Sequence, residues 1–201
     1  MYRYYLCHFL KPYYDNQSEW LIINSYASTG QVIKAPFTFY YVQNNDWNDS
    51  HNFQFWNKNF STDSDPGITN TSILKTIYDP SVSGFTLPKT AAFTGFTSSG
   101  ENTNNTAQFN VSGSFIKGWN FYTHGWKTGG TIFFASLGIR DTFTGRSGNG
   151  AVAFISEDSY WTSGAYSTSF GRTLTFYSGF VWPQYNSCIL SFGLPIRPTI
   201  E

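Results

Sequence analysis

Three histidines, two cysteines and twelve carboxylates are the side chains with which this 201-residue chain could hold a metal or move protons. Their spacing speaks against both. His8, His51 and His124 stand singly, without ligand spacing or a companion cysteine cluster, so no zinc site is expected. Asp63-Ser64-Asp65-Pro66-Gly67 alternates carboxylates as a calcium loop does, but it lacks the remaining ligand positions and the closing Glu and reads as a turn. Asp141 and Asp158 are the nearest approach to an acid–base pair, with no pattern that would bring them together. Cys7 and Cys188 lie near opposite ends and read as unpaired thiols. No nucleophile elbow, phosphate loop or dinucleotide fingerprint occurs. The expectation is a protein with no catalytic residue, metal or cofactor.

Composition points to binding by apolar and neutral polar contacts. Aromatic residues make up 20% of the chain and so supply half of its 40% hydrophobic content, which favours strands and adhesive surfaces over helix bundles. Charged residues are only 12%, against about a quarter in ordinary domains. Lys and Arg balance Asp and Glu at 12 each, with no basic run, which excludes a nucleic-acid partner because phosphate binding needs a positive surface. No apolar run approaches about 18 residues, so membrane insertion is not expected. Met1 to Leu10 is aromatic, but His8 breaks it and Lys11-Pro12 ends it without a small-residue cleavage site. It does not read as a signal peptide, and export within a larger particle or descent from a longer parent both stay open.

Gly, Ser, Thr and Asn punctuate nearly every window, so helices should be few. One short helix is expected over Thr90–Phe96, after Pro88, with Thr90 as its cap. Strands are expected over Ile132–Phe134, Ala151–Ile155, Thr173–Tyr177, Phe180–Trp182 and Cys188–Leu190. In the third, Leu174 and Phe176 alternate with Thr173, Thr175 and Tyr177, the pattern of a strand with one buried face. Polar loops fall over 57–70, 97–106 and 141–149. The fold class is thus α+β, β- and loop-rich, with a lead-in over residues 1–30 and one domain over 31–201.

Four stretches, taken in order, resemble a C-type-lectin-like family of gut Bacteroidetes and their phages, related to the Fibrobacter major paralogous domain and to the formylglycine-generating-enzyme type of fold. Ile33-Lys34-Ala35-Pro36-Phe37-Thr38-Phe39, then Asp46-Trp47 and Trp56, is similar to the family's opening. Lys75 to Phe96, KTIYDPSVSGFTLPKTAAFTGF, resembles KTxYDPCPxGxxxPxxxxFxxF. Thr131 to Arg140, TIFFASLGIR, resembles IFFPAxGYR, and Ser159-Tyr160-Trp161-Thr162-Ser163 resembles YYWSS. Gly193-Leu194-Pro195-Ile196-Arg197-Pro198 is close to the family's terminal GFxVRP.

The resemblance implies a small twisted antiparallel sheet, one or two short helices and long loops. It implies Trp161 as a buried anchor beneath ligand-bearing loops, and Ile196 paired in a central sheet near the N-terminal part. Where the family has Cys-Pro this chain has Ser81-Val82, and Cys7 and Cys188 match no reactive pair of the catalytic branch. The likeness therefore favours the binding branch over an enzyme.

The segment from Trp161 to Gly193 carries more large side chains than regular burial absorbs. If Leu174, Phe176 and Val181 point inward, then Tyr166, Phe170, Arg172, Tyr177, Phe180, Trp182 and Tyr185 are left nearer the surface, with Ser169, Thr175, Ser187 and Ile189 beside them. These eleven residues are the candidate ligand-binding site, because Tyr, Trp and Arg on a rigid support give large contact area at low entropy cost. In relatives with diversity-generating retroelements the corresponding segment is randomised through Asn codons, which cannot yield Lys, Glu or Met. None of the three occurs from Tyr166 to Phe192.

Two settings follow from the resemblance. In one, a phage or mobile-element receptor-binding protein at a tail-fibre tip, located on the virion, grips a bacterial surface protein or glycan, and the threefold symmetry of fibre tips implies a homotrimer. In the other, a bacterial surface or fimbria-tip adhesin is displayed extracellularly.

Overall fold

Alternating aromatic and small residues build this chain into paired strands that share their rings across two packed clusters. The computed structural model describes residues 21–25, 27–35, 38–41, 56–59, 73–139, 158–167, 169–190 and 192–201. Near the start, β1 (Leu21–Asn24) pairs in parallel with β2 (Thr38–Tyr41). Between them lies the six-residue helix α1 (Thr29–Lys34). Ser28 opens α1 with a capping box: its Oγ accepts from the Gln31 N–H at 3.3 Å, and its own N–H donates to Gln31 Oε1 at 2.7 Å. β1 thus begins inside the stretch read as a lead-in.

The remaining strands form three small antiparallel sheets, giving a β-rich α+β chain with few helices. β3 (Phe85–Thr86) pairs with the C-terminal β10 (Thr199–Ile200). β4 (Val111–Ser112), β5 (Gly118–Tyr122) and β6 (Thr131–Ala135) form a meander. β7 (Asp158–Ala165), β8 (Phe170–Tyr177) and β9 (Phe180–Ile189) form the third sheet, with β8 central.

A 3-10 helix over Thr90–Phe96 occupies the position expected of a helix, but Lys89 is its capping residue and Thr90 is its first helical residue. The expected strand Ile132–Phe134 lies within β6, and Thr173–Tyr177 lies within β8. Phe180–Trp182 and Cys188 belong to a single strand, because the chain runs straight through Pro183. It can do so because the β8–β9 register shifts between the Thr175–Trp182 and Thr173–Tyr185 pairs, and Pro183 falls in that irregularity, where no ladder N–H is required. Ala151–Ile155 and Asp141–Asn149 lie outside the described residues, as do Asp63–Gly67, Cys7, His8 and His51.

Both faces of the third sheet are covered. On one face Tyr160, Leu174, Phe176 and Val181 pack with Phe93, Phe96, Phe109, Trp119, Phe121 and Phe134. Phe96 stacks on Phe121 at 4.0 Å, and Phe134 meets Phe93, Phe96, Phe121 and Tyr160 edge-on. On the other face Trp161 joins Leu87, Ile139, Cys188, Phe192 and Leu194, with Trp56 5.7 Å from it. The expectation that Leu174, Phe176 and Val181 point inward holds, since all three are fully buried. So does the buried anchor Trp161. Its N–H donates to Pro195 O, and it bridges Ile196 in parallel, which fixes the terminal segment to β7.

The loop preceding β3 is held by two polar side chains. Lys75 Nζ donates to the carbonyls of Ser81 and Val82, each at 2.8 Å, and to that of Phe85. Asp79 accepts from Ser81 N–H, Thr86 Oγ1 and Leu87 N–H. Backbone groups that the loop leaves without ladder partners are thereby hydrogen-bonded. Ser81-Val82 sits within this hydrogen-bonded loop.

Candidate functional site

The β8–β9 hairpin carries most of the expected site, and the structure divides it into two ends. At the turn, Tyr177 pairs with Phe180 and Thr175 with Trp182 across the strands. Phe180 stacks on Trp182 at 4.4 Å and 26°, and Trp182 meets Tyr185 at 5.1 Å. Tyr177 lies 6.4 Å from Phe180 and closes on Phe115 at 5.2 Å. These four rings form one half-buried row, each held by its neighbours. At the far end, Phe170 pairs with Ile189, both half-buried, and Ser169 accepts the Leu190 N–H. Ser187 is exposed there and bonds Asn186, while Tyr166 is exposed under the guanidinium of Arg172 at 5.3 Å.

Two residues of the expected surface are buried instead. Arg172 is 6% exposed. Period-two alternation places it on the face of Leu174 and Phe176, and its charged end lies against the Tyr166 ring. Thr175 is fully buried: its Oγ1 lies 2.8 Å from both Ser159 Oγ and Thr173 Oγ1. A single buried face was expected of β8, but both faces of its sheet are covered, one by the cluster around Phe134 and the other by the cluster around Trp161. The threonines of β8 meet their hydrogen-bonding needs among themselves.

The outer edge of β9 is not bare. Thr103 bridges Val181 with two backbone hydrogen bonds of 3.0 Å. Around that bridge Trp182 Nε1 donates to Asn104 Oδ1 at 2.8 Å, the Gln184 N–H to Asn102 Oδ1 at 3.1 Å, and Gln184 Nε2 to Gly100 O at 2.9 Å. The loop is itself internally braced. Thr97 Oγ1 donates to Glu101 O, Thr103 Oγ1 to Gln108 Oε1, and Ala107 N–H to Asn105 Oδ1. Asn102, Asn104 and Gln184 therefore belong to the same surface as the aromatic row. Sequence reasoning placed 97–106 only as an exposed polar loop, because nothing local announces contacts made about 80 residues away.

The two segments that build this surface carry little charge. Between Ser159 and Pro198 the only charged side chains are Arg172 and Arg197. Arg172 is buried, and Arg197 donates to Phe133 O while lying over the Phe134 ring. Glu101 is the one charged side chain between Thr97 and Asn105.

Two other features deserve comparison with the hairpin. A cleft of about 670 Å³ lies between Leu74–Lys75, Ala91–Ala92 and Thr199–Ile200. Its Lys75 ammonium is occupied by three carbonyls and lies 3.7 Å from Glu201. The carboxylate of Asp158 accepts from Ser136 Oγ and the Gly138 N–H, and burial raises its pKa above 3.8 against the effect of those two bonds. Burial, and then the charge of Asp158, push the neighbouring Tyr160 hydroxyl up to about 12. Each has a structural use, the first closing a loop and the second joining β6 to β7.

Among the described residues no group of three His, Cys, Asp or Glu side chains could hold a metal ion, and no helix is long and apolar enough to cross a membrane. Cys188 is buried in the cluster around Trp161. No family model, curated protein or solved structure matches the chain.

Proposed function

We propose that this chain is a non-catalytic receptor-binding protein with a C-type-lectin-like fold, of the kind carried at a phage tail-fibre tip or encoded by a mobile element. In this reading it presents the turn end of the β8–β9 hairpin to a molecule on the bacterial surface, as a homotrimer on the virion. The segment Tyr166–Phe192 is the part that a diversity-generating retroelement would vary.

The observation that carries the reading is the row Tyr177, Phe180, Trp182 and Tyr185, half-buried and mutually packed beside a braced polar loop. Rings already ordered by their neighbours lose little freedom on binding, and large aromatic side chains dominate the energetics of recognition surfaces. The motif resemblance supplies the setting.

Binding of the purified chain to a panel of gut Bacteroidetes cells tests the reading. Strain-selective binding is expected, weakened at least about tenfold in a variant carrying Tyr177→Ala, Trp182→Ala and Tyr185→Ala that still unfolds cooperatively. Equal binding by a folded variant would place the receptor site elsewhere.

A further inference from the structure

The turn end of the hairpin offers a specific chemistry, and resting on the proposed receptor-binding role, we infer that its ligand is a neutral, hydroxyl-rich glycan. The inference begins with three side-chain amides whose orientation is fixed by their partners. An indole N–H can only donate, so the Asn104 atom facing Trp182 Nε1 at 2.8 Å is its oxygen. A backbone N–H can only donate, so the Asn102 atom facing Gln184 N at 3.1 Å is likewise its oxygen. The Gly100 carbonyl can only accept, so Gln184 turns its nitrogen toward it at 2.9 Å.

Each amide is thus anchored by one end and presents the other. Asn102 and Asn104, both exposed, offer Nδ2 donors, and Gln184 offers Oε1 as an acceptor. Asn186 adds a further Nδ2, its oxygen accepting from Ser187 Oγ. Pre-oriented amide donors and acceptors next to one another match the paired donor and acceptor character of sugar hydroxyls. Beside them runs the Phe180–Trp182–Tyr185 row, an apolar flank for the C–H faces of a saccharide.

The charges decide between ligand classes. Arg172 and Arg197 are turned to internal partners, leaving Glu101 as the charge in the adjoining loop. Segments so poor in charge offer little to offset the desolvation of sulfate, sialate or clustered protein charges, whereas a neutral glycan makes no such demand. A protein receptor is the competing class, and the experiment separates it.

The full chain is titrated against an array of neutral gluco-, galacto- and manno-configured oligosaccharides beside sialylated and sulfated ones. In parallel it is bound to cells treated with periodate or with protease. The variant pair Asn102→Asp and Asn104→Asp retains both carbonyl-type acceptors for Gln184 N–H and Trp182 Nε1 but removes both outward donors. Each single variant serves if the pair does not fold.

Neutral saccharides should be retained, with affinity little changed between about 0.05 and 1 M salt. Cell binding should be lost on periodate treatment, and affinity should drop at least tenfold in the Asp variants while their unfolding midpoints stay near that of the parent. Cell binding that survives periodate and is lost on proteolysis overturns the glycan while leaving the receptor-binding role intact. Retained glycans with undiminished affinity in the Asp variants overturn this surface as their site. Binding to no cell of the panel contradicts the receptor-binding role itself.

Discussion

Asp158 shows how a side chain with apparent chemical promise serves the framework. Its pKa is raised above the ordinary 3.8, first by burial, with the Ser136 and Gly138 hydrogen bonds opposing. The folded state therefore holds the proton more tightly than the unfolded chain does. Stability from this group is fully present below 3.8 and is lost as pH rises through the higher folded value. Asn at this position can accept from the Gly138 N–H and donate to Ser136 Oγ without burying charge. Asp158→Asn should therefore flatten the stability profile on the alkaline side of 3.8, as followed by denaturant unfolding across pH. Asp158→Ala, which strands both partners, should cost about 1–3 kcal/mol. The sequence marked Asp158 as one half of a conceivable carboxylate pair and could not show that its oxygens were already engaged. Arg172 and Thr175 misled for a related reason: residue type suggested a surface, while packing over both faces of their sheet buries them.

At the level of elements, two strands, β8 and β5, each rest on a close approach at a glycine. A Cβ on Gly171 would lie 2.6 Å from Trp161 Cζ3 and 3.0 Å from Leu190 Cδ2. On Gly118, where φ is +141°, it would lie 2.2 Å from the carbonyl oxygen of Phe134, across the β5–β6 pairing. Gly171→Ala should destabilise by about 1–3 kcal/mol, because side chains can shift to make room. Gly118→Ala should cost more, since the atom in its way is backbone that cannot move without breaking the β5–β6 ladder; equilibrium denaturation of the two variants ranks them. The alternation Leu174, Phe176 and the run Ile132–Phe134 were legible because a period of two is a local signal. The continuity of β9 through Pro183 was not, because a register shift is a property of two strands together. Nor was the union of the 98–105 loop with β9, which rests on contacts distant in sequence.

For the whole molecule, the aromatic excess visible in the composition resolves into two uses. Among the described residues, one set of rings fills the clusters on either face of the third sheet, with Tyr160 and Trp161, adjacent in sequence, committed to opposite sides. A smaller set, from Tyr177 to Tyr185, stays half-buried at one end of the hairpin. The β-rich class could be read from composition and local period, whereas the buried role of Trp161 came only as an implication of the motif resemblance. The division between packing rings and available rings depends on which distant elements cover each face of the sheet, and no single stretch encodes that.

Hydroxyl-radical footprinting addresses the claimed surface directly, comparing the chain alone with the chain bound to outer-membrane extract from a strain it recognises. Protection is predicted at Trp182, Tyr185 and the 100–104 loop, with Trp126 and Phe133, exposed elsewhere, remaining reactive. Protection of Trp126 and Phe133, with Trp182 and Tyr185 unchanged, would contradict the account.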